Sequence, residues 1–329
     1  MRIGITCDLK DTTTAVAGPD DWQEEFDSPE TVDAIAEVLR AQGHDVRFLG
    51  NGRPLLEKLL ADPPDLVFNF AEGHGVSRSR EARVPAVLEM LNIPYTGSDP
   101  LTLAATLDKT TAKTLVAAEG VQVPLGITIA PDQPASAVNL RTLPFPVIVK
   151  PAWEGSSKGI RHRCLVQCYP ELAEVVEQVR RDYRQPVLVE EYIAGEELTV
   201  GIVGNAPPRV IGTMRVVPRE PTPHFVYSLE VKRDYLNQVR YETPPQLSEK
   251  LLAKVEQAAL AAYRALGCRD VARVDFRVRD RVPYFLEVNP LPGLHPVTSD
   301  LVILATGMGW SYAQLIDAIV TATRQRLGI

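Results

Sequence analysis

The chain has 329 residues, 45% apolar and 23% charged, which suffices for two domains or three small ones and excludes a wholly disordered chain. A formal net charge of −7 excludes nucleic-acid binding through bulk positive charge and leaves only a local basic groove open. No run of about 18 apolar residues occurs, so no membrane-spanning helix is expected.

In chain order, residues 2–7 (RIGITC) read as a short apolar strand, followed by a polar loop to residue 27. Ser28-Pro29-Glu30 supplies an N-cap with proline in the first turn, and Val32, Ile35, Ala36 and Leu39 recur at helical spacing until Gly43. A strand over 45–49, a helix over 55–60 and the strand 65–70 (DLVFNF) follow; its nearly continuous apolar run suits a parallel sheet covered on both faces. The pattern next predicts a helix over 84–91, an extended piece at 94–96 and one helix over 101–119 closed by Gly120. A Pro-rich connection leads to the strand PVIVK (146–150), the Gly/Ser-rich segment 151–159, strand-like residues 160–166 and a helix over 170–183. PVLVEEYI (186–193) and ELTVGIVG (197–204) read as an antiparallel pair about Ala194-Gly195, and the Pro-rich stretch 216–246 as a mobile loop. A helix over 248–266, a hairpin of 271–278 with 283–289 and a last helix over 312–326 complete the chain. Alternating strands and helices give an α/β chain with an open parallel layer first, divided at 1–105, 106–185 and 186–329.

Cys7, Cys164, Cys168 and Cys268 are too scattered for a disulfide scaffold, and no neighbouring His or Cys completes a zinc site, so structural thiols in a reducing compartment are expected. The run MRIGITCDLK carries no apolar signal region, and the expected location is cytoplasmic.

Three places carry chemistry. Asp275, Glu287 and Asn289 alternate with apolar residues on the two strands of the last hairpin, and period two puts Glu287 and Asn289 on one face. With Asp275 across from them, three oxygen ligands converge as Mg²⁺ requires; the alternative is a solvated charged face. Lys150 ends a strand before Glu154-Gly155-Ser156-Ser157-Lys158-Gly159, where small residues let backbone N–H groups approach an anion, or simply form a hairpin loop. The segment has neither GxxxxGK[ST] nor GxGxxG. Glu190, Glu191, Tyr192, Ile193 and Glu197 could hold a nucleoside at a strand end, or be an exposed charged strand end.

Taken together the motifs resemble the ATP-grasp superfamily and, within it, the D-alanine–D-alanine ligase family. The anchors are DLVFNF (65–70), IPYTGSD (93–99), DK (108–109), VIVKPAWEGSSKGI (147–160), VEEYIAGEELTV (189–200), ARVDF (272–276) and FLEVNPLPG (285–293), in order along residues 28–326. The resemblance implies an ATP-grasp fold, α+β in its ATP-binding half, behind an N-terminal open parallel α/β substrate domain. It implies that Lys109 and Lys150 contact ATP, that Ser156 and Ser157 belong to a phosphate-covering loop, and that Glu190, Ile193 and Glu197 hold adenine and ribose beside Leu286. Lys232 would reach the γ-phosphate from 216–246. Asp275, Glu287 and Asn289 would bind two Mg²⁺, with Mn²⁺ as the alternative ion, and Arg273 with the Gly293 N–H would stabilise an oxyanion. The implied reaction has two steps: a carboxylate attacks the γ-phosphate to give an acyl phosphate, and an amine displaces phosphate to leave an amide. The implied substrates are small amino acids, the setting peptidoglycan and cell-wall synthesis, and the assembly a homodimer.

Departures cluster around the amino-acid pockets. Glu72 occupies the family's His position, and Arg78 and Arg80 enter the turn that is acidic in the family. The family's early Glu falls near Glu25, Phe26 and Asp27, an ungapped match landing on Phe26, so that role is unassigned. Arg233 stands where the family has Tyr, and the stretch after Gly293 is longer, leaving Ser299 as the candidate carboxylate-holding Ser. Added arginines favour a carboxylate or phosphate ligand and suggest a substrate other than D-alanine; alternatively Arg78 and Arg80 are surface charges paired with Glu72 or Glu81. Two further readings stay open: a related ligase for a specialised metabolite, and a nucleotide-binding module that has lost catalysis.

Overall fold

In the computed structural model the described residues are 1–11, 18–135 and 138–329; part of the expected 8–27 loop and of the Pro-rich connection lies outside them. Three sheets organise these residues. The first is parallel, with Arg2–Thr6 between Asp45–Phe48 and Leu66–Asn69. Its apolar strands bury Ile3, Ile5 and Phe68 against Ile35 and Leu39 of the helix Pro29–Ala41 and against Ile316 and Ile319 of the C-terminal helix Tyr312–Leu327. The chain thus returns at its end to the layer where it began.

The second sheet orders Gly126–Ile129, Val187–Glu191, Val147–Pro151 and Leu165–Val166, all antiparallel, with Leu172, Val176 and Val179 of the helix Tyr169–Tyr183 closing its core. The third is antiparallel and orders Val239–Glu242, Arg209–Pro218, Glu196–Val203, Val271–Arg279 and Val282–Asn289. The helix Glu249–Ala265 packs Val255, Ala259 and Ala262 onto it, small residues that let helix and sheet approach closely.

Several expectations need correction. The strands at 186–193 and 197–204 do not pair: Val187–Glu191 joins the second sheet and Glu196–Val203 the third. The chain crosses between sheets at Gly195, where φ is 125° and a Cβ would collide with the Val278 carbonyl oxygen. The 185/186 division therefore falls just before a strand of the middle sheet. The helix expected over 101–119 is two, Pro100–Leu107 and Lys109–Ala118, because Asp108 leaves helical geometry and its carboxylate accepts from the Thr111 N–H at 3.0 Å, capping the second. Residues 160–166 form a 3₁₀ turn and the two-residue strand Leu165–Val166.

The stretch 216–246 is not an open loop. It carries the end of Arg209–Pro218, the short helices Leu229–Arg233 and Tyr235–Gln238, and the strand Val239–Glu242. Val216, Val231 and Val239 bury one another beneath Phe225, Tyr227, Tyr235 and Tyr241, so aromatics that looked scattered in sequence form a small core. Four elements of the described residues were not expected from the pattern: Gly126–Ile129, the 3₁₀ turn Leu140–Thr142, most of Arg209–Pro218 and the helix Asp300–Gly307. No helix of the described residues is long and apolar enough to cross a membrane.

Candidate active site

The strand pair Val271–Arg279 and Val282–Asn289 sets the site. Val274, Phe276, Val278, Phe285 and Val288 turn into the core under the helix Glu249–Ala265. Strand alternation then turns Arg273, Asp275, Glu287 and Asn289 to the opposite face, where Asp275 registers across from Glu287 and Arg273 across from Asn289. A bulge follows Asp275, and the unpaired Leu286 lines the neighbouring slot.

Two cavities meet on this face. A slot of about 90 Å³ is lined by Lys150, Ser157, Glu190, Ile193, Glu197 and Leu286, together with Asp275. A larger cavity of about 360 Å³ runs from Asn289 and Gly293 toward the first sheet and is lined there by Asp27, Glu72 and Glu81. Tyr227, Lys232, Arg273, Glu287 and Asp300 line both and form the junction.

Charges in and around the slot are matched. Asp275 accepts from Thr199 Oγ1 at 2.8 Å, from Arg273 Nη2 at 2.9 Å and from Asn289 Nδ2 at 3.2 Å. Glu287 lies 3.0 Å from Lys109 Nζ. Burial opposes ionisation of Glu287, but the Lys109, Lys150 and Arg273 charges outweigh it and hold this carboxyl well below the usual range. Burial likewise works against the Lys109 ammonium, and Glu287 more than offsets it, raising its pKa. Glu190 is buried between Lys150 and Lys113, the latter at 3.1 Å. Lys113 also donates to the Leu286 carbonyl at 2.8 Å. Burial, partly offset by Glu190, brings its pKa down to about 8. Lys113 was missed in the sequence; its signal is its place one turn after Lys109 on a helix that faces the site. Arg277 Nη1 donates to Glu197 at 2.7 Å, while burial raises the Glu197 pKa.

The asparagine matters to the donor set. Among the described residues no three His, Cys, Asp or Glu side chains gather as a metal group. Asp275, Glu287 and Asn289 nevertheless bring two carboxylates and one amide together on one sheet face, a hard-oxygen set that fits Mg²⁺ completed by phosphate oxygens and water.

The residues expected to bind amino acids divide. Glu72 lines the large cavity, as do Glu25, Phe26 and Asp27. Arg80 does not pair with Glu72 or Glu81 at the surface: its side chain is only 2% exposed, and it bonds Glu25 at 2.7 Å and Glu154 at 3.3 Å behind the cavity wall. Arg78 stays exposed, 3.8 Å from Asp108 and outside the cavity lining. Arg233 lines the cavity, but its guanidinium reaches Asp20 at 2.6 Å and Glu24 at 2.7 Å, tying the segment after Ser228 to the N-terminal layer. Ser156 lines the large cavity and Ser157 the slot, the latter donating to the Tyr227 carbonyl at 3.1 Å. Ser299 lines the large cavity while its Oγ accepts from the His295 N–H at 2.9 Å, and the neighbouring Asp300 reaches Arg273 and Lys232. At the far wall burial raises Asp27 and Glu81 to about 7 each, and raises Glu72 well above the usual carboxyl range with help from Glu81 and Glu25.

Comparison with known proteins agrees with this geometry. Residues 128–321 match the family described as the D-ala D-ala ligase C-terminus. A D-alanine–D-alanine ligase of Anaeromyxobacter sp. (strain Fw109-5) is 34% identical over 290 residues, covering 87% of this chain and 89% of that protein. An uncharacterized protein of Sinorhizobium fredii, y4sG, is 35% identical over 305 residues, covering 89% of this chain and 87% of its own. Among solved structures, a Bacillus anthracis D-alanine–D-alanine ligase complexed with ATP superposes with a TM-score of 0.76 at 26% identity, covering 99% of this chain and 97% of that one. Two cavities sharing a charged junction, on an ATP-grasp fold that matches over nearly its whole length, place the chain in the D-alanine–D-alanine ligase family of ATP-dependent, C–N bond-forming ligases.

Proposed function

We propose that the protein uses ATP to join the carboxylate of an amino acid to an amine through an acyl phosphate, with a substrate pair other than two D-alanines. The observation that carries this reading is the junction: Lys232, Arg273 and Glu287 line the slot and the larger cavity together, so a phosphoryl group leaving one would arrive in the other. In this reading Ile193 and Leu286 flank adenine, Glu197 faces ribose, and Lys150, Ser156, Ser157 and Lys109 surround the phosphates. Glu190 is the buried counter-ion that orients Lys150. Asp275, Glu287 and Asn289 hold Mg²⁺, two ions with nucleotide present, which neutralises phosphate charge when bound. Lys232 and Arg273 supply the remaining positive charge, and Arg273 with the Gly293 N–H faces the oxyanion that forms when the amine attacks. Phosphoryl transfer needs this positioning and charge neutralisation more than covalent participation by the protein. The lid over 216–246, with its aromatic core, excludes water from the acyl phosphate.

The altered substrate follows from Glu72, Glu81 and Asp27, carboxyls that face the amino-acid cavity without an ion-pair partner among the described residues. A cytoplasmic location and a homodimer complete the reading, with residues 1–105 as the substrate domain and the two halves of the nucleotide-binding part meeting where the chain changes sheets at Gly195. The test is ADP release with ATP and Mg²⁺ across D- and L-amino acids, with mass spectrometry of the products. Amine-dependent ADP release and an amide product are expected. Release indifferent to any amino acid would mean an idle ATPase, and efficient D-alanyl-D-alanine formation would remove the altered substrate.

A further inference from the structure

Of the five side chains at the junction, Asp300 alone has neither a role above nor an aromatic ring to close the lid. It opens the helix Asp300–Gly307, whose Leu301, Leu304 and Ala305 are buried between the first and third sheets, so the carboxylate is held in place by packing. Its side chain is 11% exposed. One oxygen lies 3.4 Å from Arg273 Nη1 and 3.8 Å from Lys232 Nζ; the other accepts from the Tyr227 hydroxyl at 3.1 Å, itself 2.6 Å from the Tyr241 hydroxyl.

This geometry determines what can sit beside Arg273. The two cations in reach of Asp300 are the two that the ligase reading assigns to oxyanion and phosphate. Among the described residues no other cation lining the large cavity pairs with Asp300: Lys109 pairs with Glu287, Arg233 with Asp20 and Glu24, and Lys10 lines the far wall beside Asp27. When phosphate takes Lys232 and the oxyanion takes Arg273, the Asp300 carboxylate is released toward the incoming nucleophile. An amine arrives in water as an ammonium and finds an opposite charge; a carboxylate carried next to its nitrogen finds a like charge at Asp300.

We propose that Asp300 anchors the ammonium of the acceptor, takes the proton it must lose before the free amine attacks and phosphate leaves, and selects an amine with no free carboxylate beside that nitrogen, such as an amino alcohol or an amino acid whose carboxyl is masked as an amide. The proposal rests on the ligase reading of the same site and names its second substrate class.

Two measurements test it, with D-alaninamide and D-alanine as the paired acceptors. In calorimetry on the full chain loaded with Mg²⁺ and a non-hydrolysable ATP analogue, D-alaninamide should bind the wild type and lose at least tenfold in affinity in Asp300→Asn. That variant keeps the volume and the Tyr227 contact, and a native circular dichroism spectrum and unchanged urea midpoint would report an intact fold. Absent binding to the wild type, or equal binding to both, overturns the proposal. In ADP release with each amino acid as carboxylate donor, the masked acceptor should win by at least tenfold in kcat/KM, and Asp300→Ser should narrow or invert that ratio. Amine-dependent release that favours D-alanine as acceptor overturns the role of Asp300 and leaves the ligase standing. Binding of D-alaninamide through Asp300 with no amine-dependent release supports the subsite and overturns the ligase reading.

Discussion

The slot and the far wall of the large cavity handle charge in opposite ways. Around the slot, acids meet cations: Glu190 lies between Lys113 and Lys150, Asp275 faces Arg273, and Glu197 faces Arg277. At the far wall Glu72, Glu81 and Asp27 form no ion pair among the described residues, although Arg80 and Lys158 lie close behind, committed to Glu25 and Glu154. A buried carboxyl without a cation is held toward its neutral form, and Glu81 and Asp27 sit near 7 for that reason. The slot is therefore charge-matched within the protein, whereas the far-wall carboxyls have no ion-pair partner among the described residues.

The sharpest way to break this contrast is Glu287→Ala. It removes the carboxylate shared by slot, cavity and donor trio and leaves Lys109 without its 3.0 Å partner. Metal-dependent turnover should fall by a factor on the order of 10³, comparable to losing a preorganised electrostatic contact, while circular dichroism stays native. Activity within a few-fold of wild type would remove Glu287 from the site. Next in size, Arg80→Met would leave Glu25 and Glu154 with Lys158 alone, extending the uncompensated region inward. Breaking a buried pair from one side costs about 3 kcal/mol or more, so urea midpoints should drop accordingly. An unchanged midpoint would mean that Arg80 is as dispensable as an exposed arginine.

The same contrast explains what could be read in advance. The strands and nucleotide motifs were legible because they are local: DLVFNF carries its burial in its apolar run, and Asp275, Glu287 and Asn289 carry their shared face in strand alternation. Arg80 reads from sequence as a substrate contact or a surface charge, because its partners Glu25 and Glu154 are 55 and 74 residues away and no spacing rule connects them. The sheet change at Gly195 imitates a hairpin turn until the partner strands are known. The aromatics over 216–246 have neither helical nor strand periodicity, so their shared core was visible only once folded. Ser299 does line the large cavity, but that its hydroxyl also accepts from the His295 N–H, and that Asp300 beside it reaches Arg273, shows only in the fold.

The smallest effect should come from pH. Glu81 keeps its proton to about 7 in the folded protein, whereas in the unfolded chain it releases it near the ordinary value of 4.5. Between those limits the native state binds more protons than the unfolded one, so stability falls as pH rises from about 4.5 through 7 and then levels off. Asp27, raised from 3.8 to about 7, adds to the slope over this whole range, and Glu72, raised by burial and by the Glu81 charge, extends it upward. Glu81→Gln removes one of the two facing carboxyls and relieves the other, so the variant should lose less Tm than wild type between pH 5 and pH 8. Equal slopes for the two proteins would mean that these carboxyls ionise freely, and that the far wall, like the slot, already has its counter-charge.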